Sequence, residues 1–516
     1  MKKLILIFVI LCIVSVLVPS IVLAKNVKIE DARQAAENWV ALITALKGSW
    51  GGSEEAYVED VQEFRQRGRK IGYFANVHPK GFIIVSVRKE LAPIKAYSDE
   101  NDLNPDADTG LPDLIKGKMN RIIRGIEQRA GVLDRIPDHA LDRILEINYH
   151  SAWDDLIGTE GERSASAFTD EVVVAMNYQG GDYLIRSSWH QNPPYNNMTP
   201  DLGCTTTSNG RAKVGCVALA ASQIMDYWNW PPYGTGLVLP EPFISPPTGD
   251  PYDWPNILDV VTTGSATAEQ DAVAELTSEV GVAVSMNYGC GTSGAFVDNM
   301  PFVYENYYRY SGYALYRTRV APVGGTWPAI TWFNYIKDEL NLNRPIQYDV
   351  REWHSFVADG WQEIGSTPVR QYHMNYGWGY ECEFLDGCNT WYTLDSLYYA
   401  DSDSSIVKEA MVTGLFPAQS VQDTLSGTYA RNPDFPYYYF DQDATGHSAT
   451  FVEGLNLQFL HGISVTNTST TGGSFRFESS AFEPTRLFTR GDPSKGVRLE
   501  QSGTLKISQN GSIRFQ

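Results

Sequence analysis

The chain lacks several features that would assign it at once. Its 516 residues contain no glycine-rich loop of the Walker or dinucleotide type and no internal repeat. Nucleotide-driven chemistry and solenoid architectures are therefore set aside. Positive charge is scarce: 41 Lys and Arg stand against 61 Asp and Glu, a net charge of −20. That balance argues against nucleic acid or an anionic membrane surface as a partner. No His/Cys spacing resembles a zinc site, so no metal or other cofactor is expected. Beyond the N-terminus no stretch is apolar enough to cross a bilayer. Cysteine is rare as well, six in the whole chain.

What is present begins with a leader. Lys2 and Lys3 precede the apolar run LILIFVILCIVSVLV, and Val22 and Ala24 suit a signal-peptidase site after Ala24. Residues 1–24 are expected to be a signal peptide, with the remainder exported and free of the membrane. An uncleaved anchor is the alternative, because the apolar run is slightly long. Cys12 leaves with the leader. Cys204, Cys216, Cys290, Cys382 and Cys388 remain, an odd number. An exported chain must then keep at least one thiol free or share it with another chain. Cys382 and Cys388 are close enough to close a short loop. Cys204 and Cys290 lie in Gly-rich loops and are candidates for a second bridge, which leaves Cys216 free. Spacing alone does not fix this connectivity.

Length allows about three domains. Residues 29–46 carry an amphipathic helical stripe of Ile29, Ala32, Ala36, Trp39, Val40 and Ile43. Strand-like runs follow at 71, 81 and 93, then charged helical stretches at 111–130 and 138–150. This α+β unit has no cysteine and no cluster of reactive groups. The polar stretch 158–171 reads as an exposed, nick-prone linker. From about 172 the chain turns to short apolar strands and Trp-rich loops, with a long Pro/Gly-rich loop at 230–255 and a helix at 269–286. From about 419 it reads all-β, ending in a hairpin signal at 509–512.

One helix raises a chemical question. VGCVALAASQIMDYW (214–228) opens with Cys216 in its first turn. Packing explains a buried thiol there, and this stretch alone favours packing. Reactivity explains it too, since the positive helix end stabilises a thiolate. A thiol peptidase needs an imidazole, a group that orients it, and oxyanion donors. His354 opens the strand run HSFVADGW, downstream of Cys216 by roughly the 130–150 residues of a papain-type arrangement. A structural strand histidine is the plainer alternative. Asn375, in HMNYGWG, has a side-chain oxygen suited to fixing an imidazole, and Trp378 is placed to cover that bond. His373 shares a strand face with Asn375, so spacing does not choose between His354 and His373. Gln191, in SSWHQNPPYN, can supply an oxyanion donor beside the Cys216 N–H, although a solvated loop Gln is the simpler assignment.

SSWHQNPPYNN, GCVALAASQIMDYW, VGVAVSMNYGCGTSGA, RPIQYDV with WHSFVADGW, and YHMNYGWG occur in an order the chain shares with one family. It resembles the streptopain-like cysteine peptidases, a secreted branch of the papain-like fold, over roughly residues 27–418. IGYFANVHPKGFIIVSVRKELAPIKAYS looks like that family's inhibitory propeptide. The resemblance implies an α+β fold. A propeptide (25–170) precedes a papain-like catalytic domain (171–418), and a small all-β domain (419–516) follows. It implies Cys216 as nucleophile, His354 rather than His373 as base, Gln191 as the oxyanion glutamine, and Asn375 and Trp378 in the Asn-aromatic-Gly-Trp-Gly motif. Trp378 and Tyr376 would line the substrate site. Tyr376 stands where Trp is usual and Tyr380 where Gly is usual, which points to altered specificity. The expected function is secreted endopeptidase action on proteins or peptides through a thiolate–imidazolium pair, with the chain's own propeptide as intramolecular inhibitor. The rival readings are a catalytically silent protein binding through its β domain, and an acyltransferase of the same fold.

Overall fold

The computed structural model describes residues 26–132, 136, 141, 144–158, 174–176, 183–231, 233–234, 252–320, 327–350, 354–365, 367–378, 389–393 and 409–417, and five strand segments between 450 and 508. The leader, nearly all of the 158–171 linker, Tyr380, Cys382, Cys388 and the 509–512 hairpin signal lie outside the described residues.

Helix α1 (Ile29–Lys47) forms where the apolar stripe predicts it, and Gly48 ends it with φ 83°. All of that stripe but Ile29 is buried. Four antiparallel strands follow: β1 (Tyr57–Gln66), β2 (Arg69–His78), β3 (Phe82–Ser86) and β4 (Ile94–Ser98). Periodicity misses β1 because register shifts at Val58/Asp60 and Phe64/Arg65 break its alternation. Helix α2 (Gly110–Ala130) lies as expected. A further helix, α3, runs His150–Ile157, with apolar Trp153 and Leu156 buried on one face; of the expected helical stretch 138–150, residues 138–140 and 142–143 lie outside the described residues.

Beyond the linker come β5 (Val174–Met176), α4 (Cys216–Trp228), α5 (Thr267–Ala283), α6 (Met300–Tyr308), β6 (Leu315–Thr318) and α7 (Ala329–Asn341). Then follow β7 (Ile346–Val350), β8 (His354–Ile364), β9 (Val369–Asn375), β10 (Asn389–Thr393) and β11 (Glu409–Thr413). In the last part β12 (Thr450–Phe451), β14 (Ser474–Glu478) and β16 (Thr504–Ser508) pair in parallel, as do β13 (Val465–Thr466) and β15 (Leu499–Glu500).

The N-terminal unit and the region after the linker share one sheet. Its order is β1-β2-β3-β4-β10-β9-β8-β7-β11-β6, with β5 beside β8. The seam is β4 against β10, where Tyr97 faces Trp391 and Ala96 faces Tyr392. Trp391 packs into the same core as Trp39, Trp50, Tyr97 and Trp153 of the N-terminal unit. Fully buried aromatics of this size bury large apolar areas, so the seam is a true core contact. Polar links reinforce it. Lys118 of α2 bonds Glu409 of β11, which also holds Arg319 at 2.7 Å. The Asn101 amide donates to the Asn389 carbonyl at 3.3 Å, and the Tyr183 hydroxyl donates to Glu100 at 2.8 Å.

Candidate active site

Helix α4 begins at Cys216 because Gly215 can take the φ of 90° its turn requires. A side chain there would also meet Met286 at 2.6 Å. The loop carrying Met286 is tied to the segment entering α4. The Lys213 N–H donates to the Gly289 carbonyl at 3.2 Å, and the Ser293 hydroxyl donates to the Lys213 carbonyl at 2.7 Å. A disulfide joins Cys204 to Cys290 across these loops, leaving Cys216 free. The predicted bridge and the predicted free thiol are both present.

Strand β8 starts at His354, which is 8% exposed. The next residue, Ser355, lies against the start of α4: the Gln347 amide bonds both its hydroxyl and the Val217 carbonyl, and its backbone N–H favours the Cys216 thiolate. The starts of α4 and β8 are therefore neighbours. The His354 Nε2 lies 2.6 Å from the Tyr376 carbonyl oxygen. A carbonyl only accepts, so Nε2 carries the proton and Nδ1 is the basic nitrogen. Trp378 stacks on the imidazole with ring centroids 4.5 Å apart, covering it as expected.

Two expectations need correction. The first is the orienting role of Asn375. Its amide donates to the Ser187 carbonyl at 2.7 Å, and its oxygen accepts from the Gly377 N–H at 3.0 Å. The side chain therefore shapes the turn that presents Tyr376 and does not bond His354. The second is Tyr376 as a lining residue. Its ring is 2% exposed and packs on Phe356, so it is core, while Trp378 is half-buried. Burial bears on the expected thiolate–imidazolium pair. Burial pushes the Cys216 thiol up; the Ser355 N–H opposes this, and the Asp349 carboxylate adds to it. Burial also pulls His354 down to about 4, against a smaller upward pull from the Tyr376 carbonyl. The helix-start N–H groups do favour the thiolate, but desolvation outweighs them.

Gln191 joins this group through its backbone. Its carbonyl accepts from the Val214 N–H at 3.2 Å, two residues before Cys216. Ser187, in the same segment, accepts from both Asn375 and Gln223 of α4, so this strap runs between the two halves of the site. His373 lies apart. Its Nδ1 is 2.7 Å from Asp359, and its ring stacks on Tyr183. Sequence reasoning missed the Tyr376 carbonyl and the Ser355 N–H, because main-chain groups leave no residue-type signal. Among the described residues no group of His, Cys, Asp or Glu is arranged to hold a metal ion.

Residues 189–383 match the peptidase C10 family, and residues 24–122 match the Spi protease inhibitor family. The chain is a streptopain-like cysteine peptidase with an inhibitory propeptide. Streptopain of Streptococcus pyogenes serotype M1 is 23% identical over 376 residues, 69% of this chain and 83% of that protein. The thiol protease/hemagglutinin PrtT of Porphyromonas gingivalis is 29% identical over 207 residues, 37% of this chain and 22% of that one. Among solved structures, a fragment of prointerpain A from Prevotella intermedia aligns with 22% identity and a TM-score of 0.48, covering 69% of this chain and 98% of that one. This streptopain-like peptidase is thus a C10 zymogen of mixed helix and sheet, acting on protein substrates and held by its own propeptide. Its inhibitor segment includes the strands β1–β4, which extend the peptidase sheet.

Proposed function

We propose that this zymogen is a secreted endopeptidase in which Cys216 is the nucleophile and His354 the base. Residues 1–24 are its signal peptide, 25–170 its propeptide, 171–418 its catalytic domain, and 419–516 an accessory β domain. The observation that supports the reading is that one buried amide, Gln347, bonds both Val217 and Ser355, the residues that follow Cys216 and His354.

The chemistry follows from the tautomer. His354 Nδ1 takes the thiol proton as sulfur attacks the scissile carbonyl. The imidazolium that forms is stabilised by the Tyr376 carbonyl and by the face of Trp378. The Cys216 N–H at the start of α4 and the Gln191 amide stabilise the developing oxyanion. Nδ1 then delivers the proton to the departing amine, leaving a thioester on Cys216. Water, with His354 as base, hydrolyses that thioester and restores the thiol.

The test is hydrolysis of a protein substrate by the full chain after activation. Cys216→Ala should remove activity by several orders of magnitude and leave the melting temperature near that of the parent. Substantial activity in a folded Cys216→Ala protein would overturn the assignment.

A further inference from the structure

Gln347 lies in the middle of β7 and is fully buried. Its Nε2 donates to the Val217 carbonyl at 3.0 Å and to the Ser355 hydroxyl at 3.1 Å. Val217 follows Cys216, and Ser355 follows His354. One amide thus reaches the residues immediately after the nucleophile and the base. Its orientation is determined chemically: the Val217 carbonyl can only accept, so the nitrogen must face it. The oxygen, Oε1, accepts from the Tyr304 hydroxyl of α6 at 3.1 Å. Both N–H groups and the carbonyl are satisfied, which a buried amide requires.

We propose that Gln347 is a positioning residue for the peptidase reaction: it clamps the first turn of α4 to the start of β8 and sets the separation of Cys216 from His354. This rests on the assignment of those two residues above. The Ser355 hydroxyl, held by Gln347, donates onward to the Tyr348 carbonyl at 3.3 Å, so Ser355 is held on two sides. A neutral amide suits this place. A carboxylate would face the Val217 carbonyl with no proton to offer, beside the Asp349 charge that already opposes a thiolate. A hydrophobe of equal volume would fill the space and release the clamp. Proton transfer between sulfur and nitrogen depends steeply on their separation, and misplacement by about 1 Å can cost roughly a hundredfold in rate.

The test compares parent, Gln347→Met and Ser355→Ala in the activated full chain. The clamp predicts that Gln347→Met lowers kcat by about a hundredfold while KM stays within about twofold. It also predicts that the pH dependence of Cys216 alkylation by iodoacetamide moves toward that of an isolated thiol. Ser355→Ala, which removes one arm, should fall between, and it carries the test if Gln347→Met does not fold. A merely structural glutamine would lower the melting temperature and leave the kcat/KM split and the alkylation profile at parental values; that result overturns the clamp. Cys216→Ala run alongside separates the two claims. If it abolishes hydrolysis while the clamp variants behave as the parent, only the clamp fails. If it leaves hydrolysis intact, the assignment of the site fails first.

Discussion

The imidazole of His354 donates through Nε2 to the main-chain carbonyl of Tyr376, 2.6 Å away, and not to the side chain of Asn375. The orienting group of this site is therefore a backbone atom whose place depends on the turn around it. Gly377, at φ 70°, allows that turn to lie on α4, where an added Cβ would meet Leu219 at 2.7 Å.

Trp378 keeps water off the His354–Tyr376 bond. Trp378→Ala should admit solvent and let the His354 pKa rise from about 4 toward its ordinary value of 6.5. The acid limb of the pH–rate profile should move upward, with a loss of kcat. An unmoved acid limb in an otherwise folded variant would count against the shielding role.

Two buried histidines make the fold acid-sensitive. Burial lowers both His190 and His354 to about 4 from 6.5. Between those values the unfolded chain binds protons that the native chain refuses. Stability is therefore complete above pH 6.5 and falls as pH drops toward 4, by about tenfold in the folding equilibrium per unit for each histidine. Denaturation curves across this window should show the slope, and His190→Gln should reduce it. A flat profile from pH 7 to 4 would contradict the buried-neutral assignment.

Lys118 anchors the propeptide to the peptidase. Lys118→Ala removes the bond from α2 to Glu409 but leaves Glu409 paired with Arg319. The peptidase core should stay intact while propeptide docking weakens, because the lost pair is largely buried. Once the 158–171 linker is nicked, activity should appear about tenfold faster or more than in the parent. Equal onset times would show that the seam between β4 and β10 carries the docking alone.

The Cys204–Cys290 disulfide closes a loop with a sequence separation of 86. Replacing both cysteines by serine should destabilise the fold by about 2–4 kcal/mol. It should also lower kcat, since Lys213 and Gly215 rest on the loop that Cys290 anchors. Denaturant titration and steady-state kinetics read the two effects separately. Full activity at ordinary stability would make the bridge incidental.

Much of this protein was legible before folding. The apolar stripe of 29–46 specifies a helix because 3.6-residue spacing gathers Trp39, Val40 and Ile43 on one face. Cys216, His354, Gln191 and Trp378 lie in recognisable sequence motifs, and the odd cysteine count pointed to a free thiol. Strand β1 was not legible, because its bulges break the alternation that marks a strand. Nor was the single sheet joining inhibitor and peptidase, since pairing Tyr97 with Trp391 depends on contacts far apart in the chain. Three properties of the site were decided only by tertiary structure. The Tyr376 carbonyl, which any residue could provide, took the role expected of Asn375. Packing gave Gln347 its place between Val217 and Ser355. Burial, a property of the folded environment and not of residue type, pushes the Cys216 thiol up and the His354 imidazole down, where a helix start alone argues the opposite for the thiol.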